Sequence, residues 1–180
     1  MRHFFSRKTP PFSKALFIES GSRGLIEGLI AGLNTSYGEQ LEIGLVTCFA
    51  GVPRGFRGEV FRIADYSGRA GRKRLYSELA KREYPVAAII CSGESIMTKW
   101  KWSLGARLRS KIVVINENGD YFWLDWAHWR VAMHFMLFRA GLTGAAALPT
   151  IARLLFFPLT LAYLLLYAGA VHLRRRIRIL

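Results

Sequence analysis

The chain has 180 residues, of which 52% are hydrophobic and 21% charged, and its formal net charge is +14. This length fits one domain with an appendage, and it excludes a complete enzyme built from two nucleotide-binding domains of at least roughly a hundred residues each. The apolar content excludes an intrinsically disordered chain, and the positive charge predicts an anionic partner, either nucleic acid or a membrane surface.

The charge divides the chain into two unlike parts. Residues 1–125 contain all 12 acidic residues and 19 of the 26 basic ones, whereas residues 126–180 contain seven arginines and no acid. Each part therefore carries a net charge of +7. We expect an extended arm over residues 1–13, because Pro10 and Pro11 exclude a helix there, and a folded domain over residues 14–125.

Short apolar runs alternate with helical segments through this domain. The runs predict strands over residues 15–19, 41–48, 59–63, 86–91 and 111–115, with helices over 25–33, 71–82 and 96–107. Such alternation predicts an α/β, Rossmann-like domain with about five mostly parallel strands and flanking helices. In the first helix, Gly24, Gly28 and Gly32 predict a smooth face packed against the sheet, and Ser67 is expected to cap the second helix.

Folds of this kind bind ligands where the carboxyl ends of their strands meet. The loop after the first strand precedes a helix N-terminus, where backbone N–H groups and the helix dipole favour an anion. The loop lacks GxGxxG and the lysine of a P-loop, so a tight turn into a packed helix is the alternative. The candidate anion-binding residues are Ser20, Gly21, Ser22, Arg23 and Gly24.

Three carboxylates, Glu94, Glu117 and Asp120, are the candidates for catalysis if the protein is an enzyme. Acids in the turn 116–120 could coordinate a cation or bind a sugar, or they could pair with arginines, while capping explains Glu94. No serine lies in a GxSxG elbow, and none of the four histidines has a spacing that indicates catalysis. Cys48 and Cys91 lack metal-ligand spacing, so we expect no metal site, no disulfide and no cofactor.

Residues 154–173 contain no Lys, Arg, Asp or Glu. Twenty helical residues span about 30 Å, the thickness of the hydrocarbon core, so this run predicts a transmembrane helix. We expect a connecting or interfacial helix over 126–153 before it and a basic tail over 174–180 after it. Arginines flank both ends, and Pro158 allows a kink, which leaves a single crossing and a re-entrant helix as alternatives.

Basic and aromatic residues are interleaved at Lys99–Trp102, a pattern that also occurs in single-strand nucleic-acid binding. Positions two apart on a helix face different ways, however, and a membrane anchor makes anionic lipid the simpler explanation of the charge. We therefore predict a lipid bilayer and other membrane subunits as partners rather than nucleic acid. The predicted contact residues are Trp100, Trp102, Trp126, Trp129, Arg153, Arg174, Arg175 and Arg176.

The domain resembles the N-terminal half of GT-B glycosyltransferases, loosely like the bacterial heptosyltransferases. The resemblance lies in ALFIESGSRG, LEIGLVT, VAAIICSGES and KWSLGARLRSKIVVINENGDYFWL, over residues 14–125. In that family the N-terminal half faces the acceptor, whereas the C-terminal half holds the nucleotide-sugar donor. The resemblance therefore implies an acceptor-side half-fold, and no donor-binding residue carries over to this chain.

Two functions from different classes follow. The first is a non-catalytic, membrane-anchored accessory or scaffold subunit of a larger bacterial inner-membrane complex, for example an energy-transducing one, with the α/β domain on the cytoplasmic side. The second is the acceptor-binding half of a membrane-associated glycosyltransferase in envelope glycan synthesis. A half-enzyme predicts an open cleft at the strand ends, and a scaffold predicts that those loops are closed.

Overall fold

The computed structural model describes residues 4–6, 8 and 13–179, which divide into two compact units, residues 1–129 and 130–180. The first unit is an α/β domain, and the second is helical. The predicted arm over residues 1–13 lies mostly outside the described residues, as does Leu180 of the predicted tail. The strands are β1 (Lys14–Glu19), β2 (Glu42–Thr47), β3 (Glu59–Arg62), β4 (Val86–Cys91), β5 (Lys111–Asn116) and β6 (Tyr121–Trp123). The helices are α1 (Arg23–Tyr37), α2 (Gly68–Arg82), α3 (Thr98–Arg107), α4 (Trp129–Arg139) and α5 (Ala147–Ile179).

The six strands form one sheet in the order β3-β2-β1-β4-β5-β6. Neighbouring strands are parallel from β3 to β5, and β6 pairs antiparallel with β5. The predicted α/β class with a mostly parallel sheet and flanking helices is confirmed. The sheet has one strand more than the five predicted, because the turn at Asn118 and Gly119 leads directly into a three-residue strand that is too short for a periodic pattern.

One face of the sheet packs against α1. Alternate strand residues point to the same side of a sheet, and Phe17, Leu45 and Ile90 share a buried cluster with Ile26 and Ile30 of the helix. The isoleucines are four positions apart, so they lie on one side of α1. Their burial fixes the N-terminus of α1 beside the end of β1.

The opposite face of the sheet carries α3. A Cβ atom built on Gly105 would lie 3.2 Å from Cδ1 of Ile89 and 3.9 Å from Cδ1 of Ile112, so glycine allows close contact here. Helix α2 lies beside α3, because the hydroxyl groups of Tyr76 and Ser103 are hydrogen-bonded. The sheet is therefore flanked by helices on both faces.

Two predictions about the helices need correction. The glycines of α1 do not pack on the sheet: a Cβ atom on Gly28 or Gly32 would meet no atom within 4 Å, and both residues are exposed. The isoleucines form the packed side instead, because burying their apolar side chains contributes more to the free energy of folding than a close approach of the glycine backbone would. Ser67 is the N-cap of α2, but its side chain makes no capping hydrogen bond, and the helix begins at Gly68 rather than Gly71.

The second unit contains a long apolar helix. Residues Ala147–His172 of α5 form a helix that is long and apolar enough to cross a membrane, and none of these residues is buried against other described residues. The predicted span, residues 154–173, lies within this helix. The helix continues without interruption through Pro158, whose ring removes one backbone hydrogen bond.

Candidate functional site

The carboxyl ends of β1 and β4 lie side by side at the centre of the sheet, where the strand order changes direction. Glu19 is the last residue of β1, and it is fully buried together with Ser20. The hydroxyl group of Ser20 donates a hydrogen bond of 2.5 Å to the carbonyl oxygen of Ile90. This bond ties the first loop to the end of β4.

Gly21 continues this loop against β4. A Cβ atom at Gly21 would lie 2.3 Å from Oγ of Ser92 and 2.9 Å from Cγ2 of Ile90, so any larger residue would push the loop away from the strand. Ser92 is buried, and its Oγ has no hydrogen-bond partner among the described residues. The loop is therefore packed closed at this point rather than open.

Arg23 begins α1 and is bound to Glu19 by two contacts. Its Nε donates to Oε1 at 2.9 Å and its Nη2 to Oε2 at 3.3 Å, while Nη2 also donates to the carbonyl oxygen of Gly51 at 3.0 Å. The guanidinium carbon lies 4.9 Å from the ring centroid of Phe49. The hydrogen bond that Arg23 donates to Glu19 raises the pKa of Arg23 above its ordinary value. The two charges neutralise each other inside the chain, and Ser22 and Gly24 lie exposed beside them.

The turn between β5 and β6 is closed by its own side chains. Asn116 Oδ1 accepts hydrogen bonds from the backbone N–H groups of Asn118, at 3.0 Å, and Asp120, at 2.9 Å. Asn116 Nδ2 donates to Asp120 Oδ2 at 3.1 Å. Gly119 adopts a positive φ of 83°, as the turn requires. Asp120 therefore serves the turn, and Glu117, which is also engaged in an interaction, lies in the same turn.

Glu94 lies on an exposed bend before α3 and does not cap that helix. Helix α3 begins at Thr98, after Met97, which adopts a left-handed backbone conformation with φ of 52°. The capping role expected for Glu94 is therefore wrong, because the chain turns sharply between this residue and the helix. Among the described residues, no group of three or more His, Cys, Asp or Glu side chains could hold a metal ion.

A buried polar network at the opposite end of β5 was missed by the sequence analysis. Lys111 Nζ lies 3.1 Å from Oδ2 of Asp125, and it donates hydrogen bonds to the carbonyl oxygens of Ser6, at 3.0 Å, and Lys8, at 3.1 Å. His128 Nδ1 lies 2.7 Å from Asp125 Oδ1, and its backbone N–H donates to the same oxygen at 3.0 Å. The sequence does contain a signal for this network: a lysine stands at the start of an apolar strand, and an aspartate follows a short hairpin.

The predicted contact tryptophans lie in two separate places. On α3, Trp100 is half-buried with its ring 6.3 Å from that of Tyr76, and Trp102 is exposed. Trp126 and Trp129 are exposed and stacked at 6.1 Å, and they follow β6. The four tryptophans therefore belong to two separate surfaces, a division that the sequence did not indicate.

The predicted contact arginines belong to the second unit. Arg174 and Arg175 are exposed near the end of α5, and Arg153 is exposed in its first part. The side chain of Arg176 lies outside the described part of the structure. These arginines mark the two ends of the uncharged stretch.

Two cavities lie at the amino ends of the strands. One, of about 540 Å³, is bordered by Tyr84 and Ser110, and the other, of about 520 Å³, by Leu41 and Gly58. Ser110, Leu41 and Gly58 come directly before β5, β2 and β3, and Tyr84 lies two residues before β4, so neither cavity is at the carboxyl edge where Glu19 and Ser92 meet.

Comparison of the chain with protein-family models, with curated proteins and with solved structures gives no match.

Proposed function

We propose that this protein is a non-catalytic, membrane-anchored accessory subunit that supports a larger complex of the bacterial inner membrane. The observation that carries the proposal is the apolar helix α5, in which no residue from Ala147 to His172 is buried by a described part of the chain. A side chain such as Leu164, which is exposed, requires a lipid or protein environment. An α/β domain that is anchored by one membrane helix can present a binding surface to other proteins close to the membrane.

Support for a non-catalytic role comes from the carboxyl edge of the sheet. A general acid or base must reach its substrate, but Glu19 is fully buried and bound to Arg23. Asp120 is committed to the turn through Asn116. The other two candidates, Glu94 on a bend and Glu117 in the same turn as Asp120, are exposed. The close packing at Gly21 and the hydrogen bonds of Asn116 within its turn support the scaffold role.

The Rossmann-like, glycosyltransferase-like origin of the domain is part of the proposal. The strand order β3-β2-β1-β4-β5-β6 is the order of dinucleotide-binding folds, which supports the resemblance to the acceptor half of GT-B enzymes. Two features differ: residues 48–58, which connect β2 to β3, contain no helix, and β6 is antiparallel. Residues 130–179 contain helices and no strand, so this described part of the chain holds no donor-binding lobe.

The inner membrane, with the α/β domain on the cytoplasmic side, is the location we propose. Cys48 and Cys91 are both free thiols, and Cys48 is exposed, which suits a reducing compartment. The continuous course of α5 through Pro158 supports a single crossing. The tail arginines, which include Arg174 and Arg175, favour a cytoplasmic tail under the positive-inside rule, and a single crossing would then place the α/β domain on the outer side. Chemical labelling of Cys48 decides between the two orientations.

The test is purification of the full chain from its native membrane in a mild detergent. We expect a complex with stoichiometric companions and no sugar transfer by the isolated chain to lipid or glycan acceptors. Leu164→Arg introduces a charge that costs about 2.5–3.5 kcal/mol at the centre of a membrane helix, so it should abolish assembly, whereas Leu164→Ala should not. A chain that migrates alone and transfers sugar would contradict the proposal.

The alternative function is the acceptor-binding half of a two-chain glycosyltransferase. One observation favours it: the loops at Ser20–Gly24 and Ser92–Ser95 meet between β1 and β4, where folds with this strand order bind their ligands. This function predicts that the chain restores sugar transfer to a separate donor-binding protein. Glu94→Gln should then abolish transfer, whereas Glu83→Gln, a change at an exposed glutamate that ends α2, should not.

A further inference from the structure

Four aromatic rings from two distant parts of the chain form an exposed cluster on the α/β domain. We define the aromatic cluster as Phe4, Phe5, Trp126 and Trp129. The ring centroids of Phe4 and Phe5 lie 6.3 and 6.4 Å from that of Trp126, which stacks on Trp129 at 6.1 Å. Phe5 is 80% exposed, Trp126 55% and Trp129 43%. Large rings that contact one another and yet remain exposed indicate a surface for a partner.

The buried network described above holds this cluster together. Lys111 binds the carbonyl oxygens of Ser6 and Lys8, and the backbone N–H of Trp126 donates to the carbonyl oxygen of Phe4 at 2.7 Å. These three hydrogen bonds fix the segment that carries Phe4 and Phe5 beside the segment after β6. The positions of the four rings are therefore fixed by hydrogen bonds between the two segments.

We propose that the aromatic cluster contacts the headgroup region of the phospholipid bilayer and positions the α/β domain against the membrane. The inference rests on the membrane attachment proposed above and names the partner of this surface. Tryptophan is enriched at membrane–water interfaces because its ring is apolar and its N–H remains hydrated. Trp129 also begins α4, and α5 is the next α-helix of the chain, so the cluster is the part of the domain nearest the anchor in sequence.

The charges around the cluster fit an anionic bilayer. Lys8 is exposed, and no acidic residue occurs after Asp125 in the chain. The carboxylate of Asp125 itself is buried and bound to Lys111 and His128, so it offers no negative charge to the surface. Basic groups near an anionic membrane each contribute about 1 kcal/mol to binding.

The tryptophans of α3 lie on the other side of the sheet. Gly105 of α3 packs on Ile112, and side chains of consecutive strand residues point to opposite faces, so Lys111 and the cluster that it supports lie on the face away from α3. We therefore expect that a bilayer in contact with Trp126 and Trp129 does not contact Trp100 and Trp102. The pair on α3 gives a matched control.

The test uses the full chain reconstituted in vesicles of phosphatidylcholine and phosphatidylglycerol. All five tryptophans lie between residues 100 and 129 and none in α5, so quenching of their fluorescence by brominated lipid reports on the α/β domain alone. We expect bromines near the headgroups to quench more strongly than bromines near the bilayer centre. W126F/W129F should reduce this quenching to the level of unbrominated lipid, whereas W100F/W102F should leave it unchanged.

Insertion of α5 is measured in the same vesicles by resistance to alkaline extraction, and folding of each variant by circular dichroism. An inserted protein without headgroup quenching, or one whose quenching survives W126F/W129F, would overturn the inference and leave the anchored subunit intact. A chain that is extracted at alkaline pH would overturn both proposals.

Discussion

Lys111 and Asp125 form an ion pair of 3.1 Å in which each side chain is only 1% exposed. The ammonium group also lies 5.2 Å from the ring centroid of Trp123 and donates to two backbone carbonyl oxygens. A buried charge is tolerated only when it is paired and its hydrogen-bonding capacity is used. The pair thus joins the start of β5, the segment after β6 and the N-terminal segment.

We predict that Lys111→Met destabilises the protein by about 3–5 kcal/mol, because it leaves the carboxylate of Asp125 buried without its cation. The measurement is the free energy of unfolding by urea of the full chain in detergent, followed by tryptophan fluorescence. Lys14→Met is the matched control, since Lys14 forms an exposed pair with Glu42 and should contribute less than about 1 kcal/mol. The double variant K111M/D125N should cost less than the sum of its two single changes, and strict additivity would contradict the pairing.

Asp125 also predicts a pH dependence of stability. Burial raises the pKa of Asp125, but the hydrogen bonds from His128 and Lys111 outweigh this effect and hold it below the usual value of 3.8. A carboxyl group with a lowered pKa in the folded state contributes stability that is complete above its unfolded pKa. That contribution is lost as the pH falls from about 4 through the folded pKa.

The measurement for this prediction is the free energy of unfolding as a function of pH in the wild-type chain and in Asp125→Asn. The wild-type curve should fall more steeply below pH of about 4, since the variant has no carboxyl group to protonate at this position. Asp65→Asn is the control, because Asp65 is exposed. Parallel curves for wild type and Asp125→Asn would contradict the prediction.

The class of the fold could be predicted from the sequence because its strands are strongly apolar. Val86–Cys91 is buried at every position, and such a run is typical of a strand covered on both faces. The packing side of α1 could not be read from its glycines, because their spacing is as regular as that of the isoleucines. Only the isoleucines gain free energy from burial.

The candidate site was predicted only in part. Gly21 and Arg23 do lie at the junction of β1 and β4, but composition does not reveal that Glu19 would be buried and paired with Arg23. The pair formed by Lys111 and Asp125 depends on a hairpin that brings distant residues together. Such contacts are set by tertiary structure and not by local propensity.

We predict that Gly44→Ala destabilises the domain by about 1–3 kcal/mol through overpacking of β2. A Cβ atom at Gly44 would lie 2.3 Å from Oη and 2.6 Å from Cζ of Tyr84, whose ring packs against β2 at this glycine. The control is Gly28→Ala, whose new methyl group would meet no atom within 4 Å and whose helix should gain stability of the order of 1 kcal/mol. Urea unfolding of the two variants should shift the midpoint in opposite directions, and equal shifts would contradict the packing.

Tyr84→Phe should increase the stability or leave it unchanged. The hydroxyl oxygen of Tyr84 has no hydrogen-bond partner among the described residues, and burial raises the pKa of this group to about 12. A buried hydroxyl without a partner costs about 1–3 kcal/mol, so its removal without loss of volume is favourable.

Tyr66→Phe is the contrasting variant. Tyr66 donates a hydrogen bond of 2.5 Å to Glu78, and the loss of this hydrogen bond should destabilise the domain. The prediction fails if both changes destabilise the protein equally in urea unfolding.

The orientation of the domain is tested by the reactivity of Cys48, which is exposed, whereas Cys91 is buried. A membrane-impermeant maleimide should label Cys48 in inverted inner-membrane vesicles and not in intact spheroplasts if the α/β domain is cytoplasmic. Burial raises the pKa of the Cys48 thiol, so labelling should be slow at neutral pH and accelerate as the pH rises, because the thiolate is the reactive form. The variant C48S should lose the label and C91S should keep it. Labelling in spheroplasts would place the domain on the outer side of the membrane and the arginine tail on the inner side.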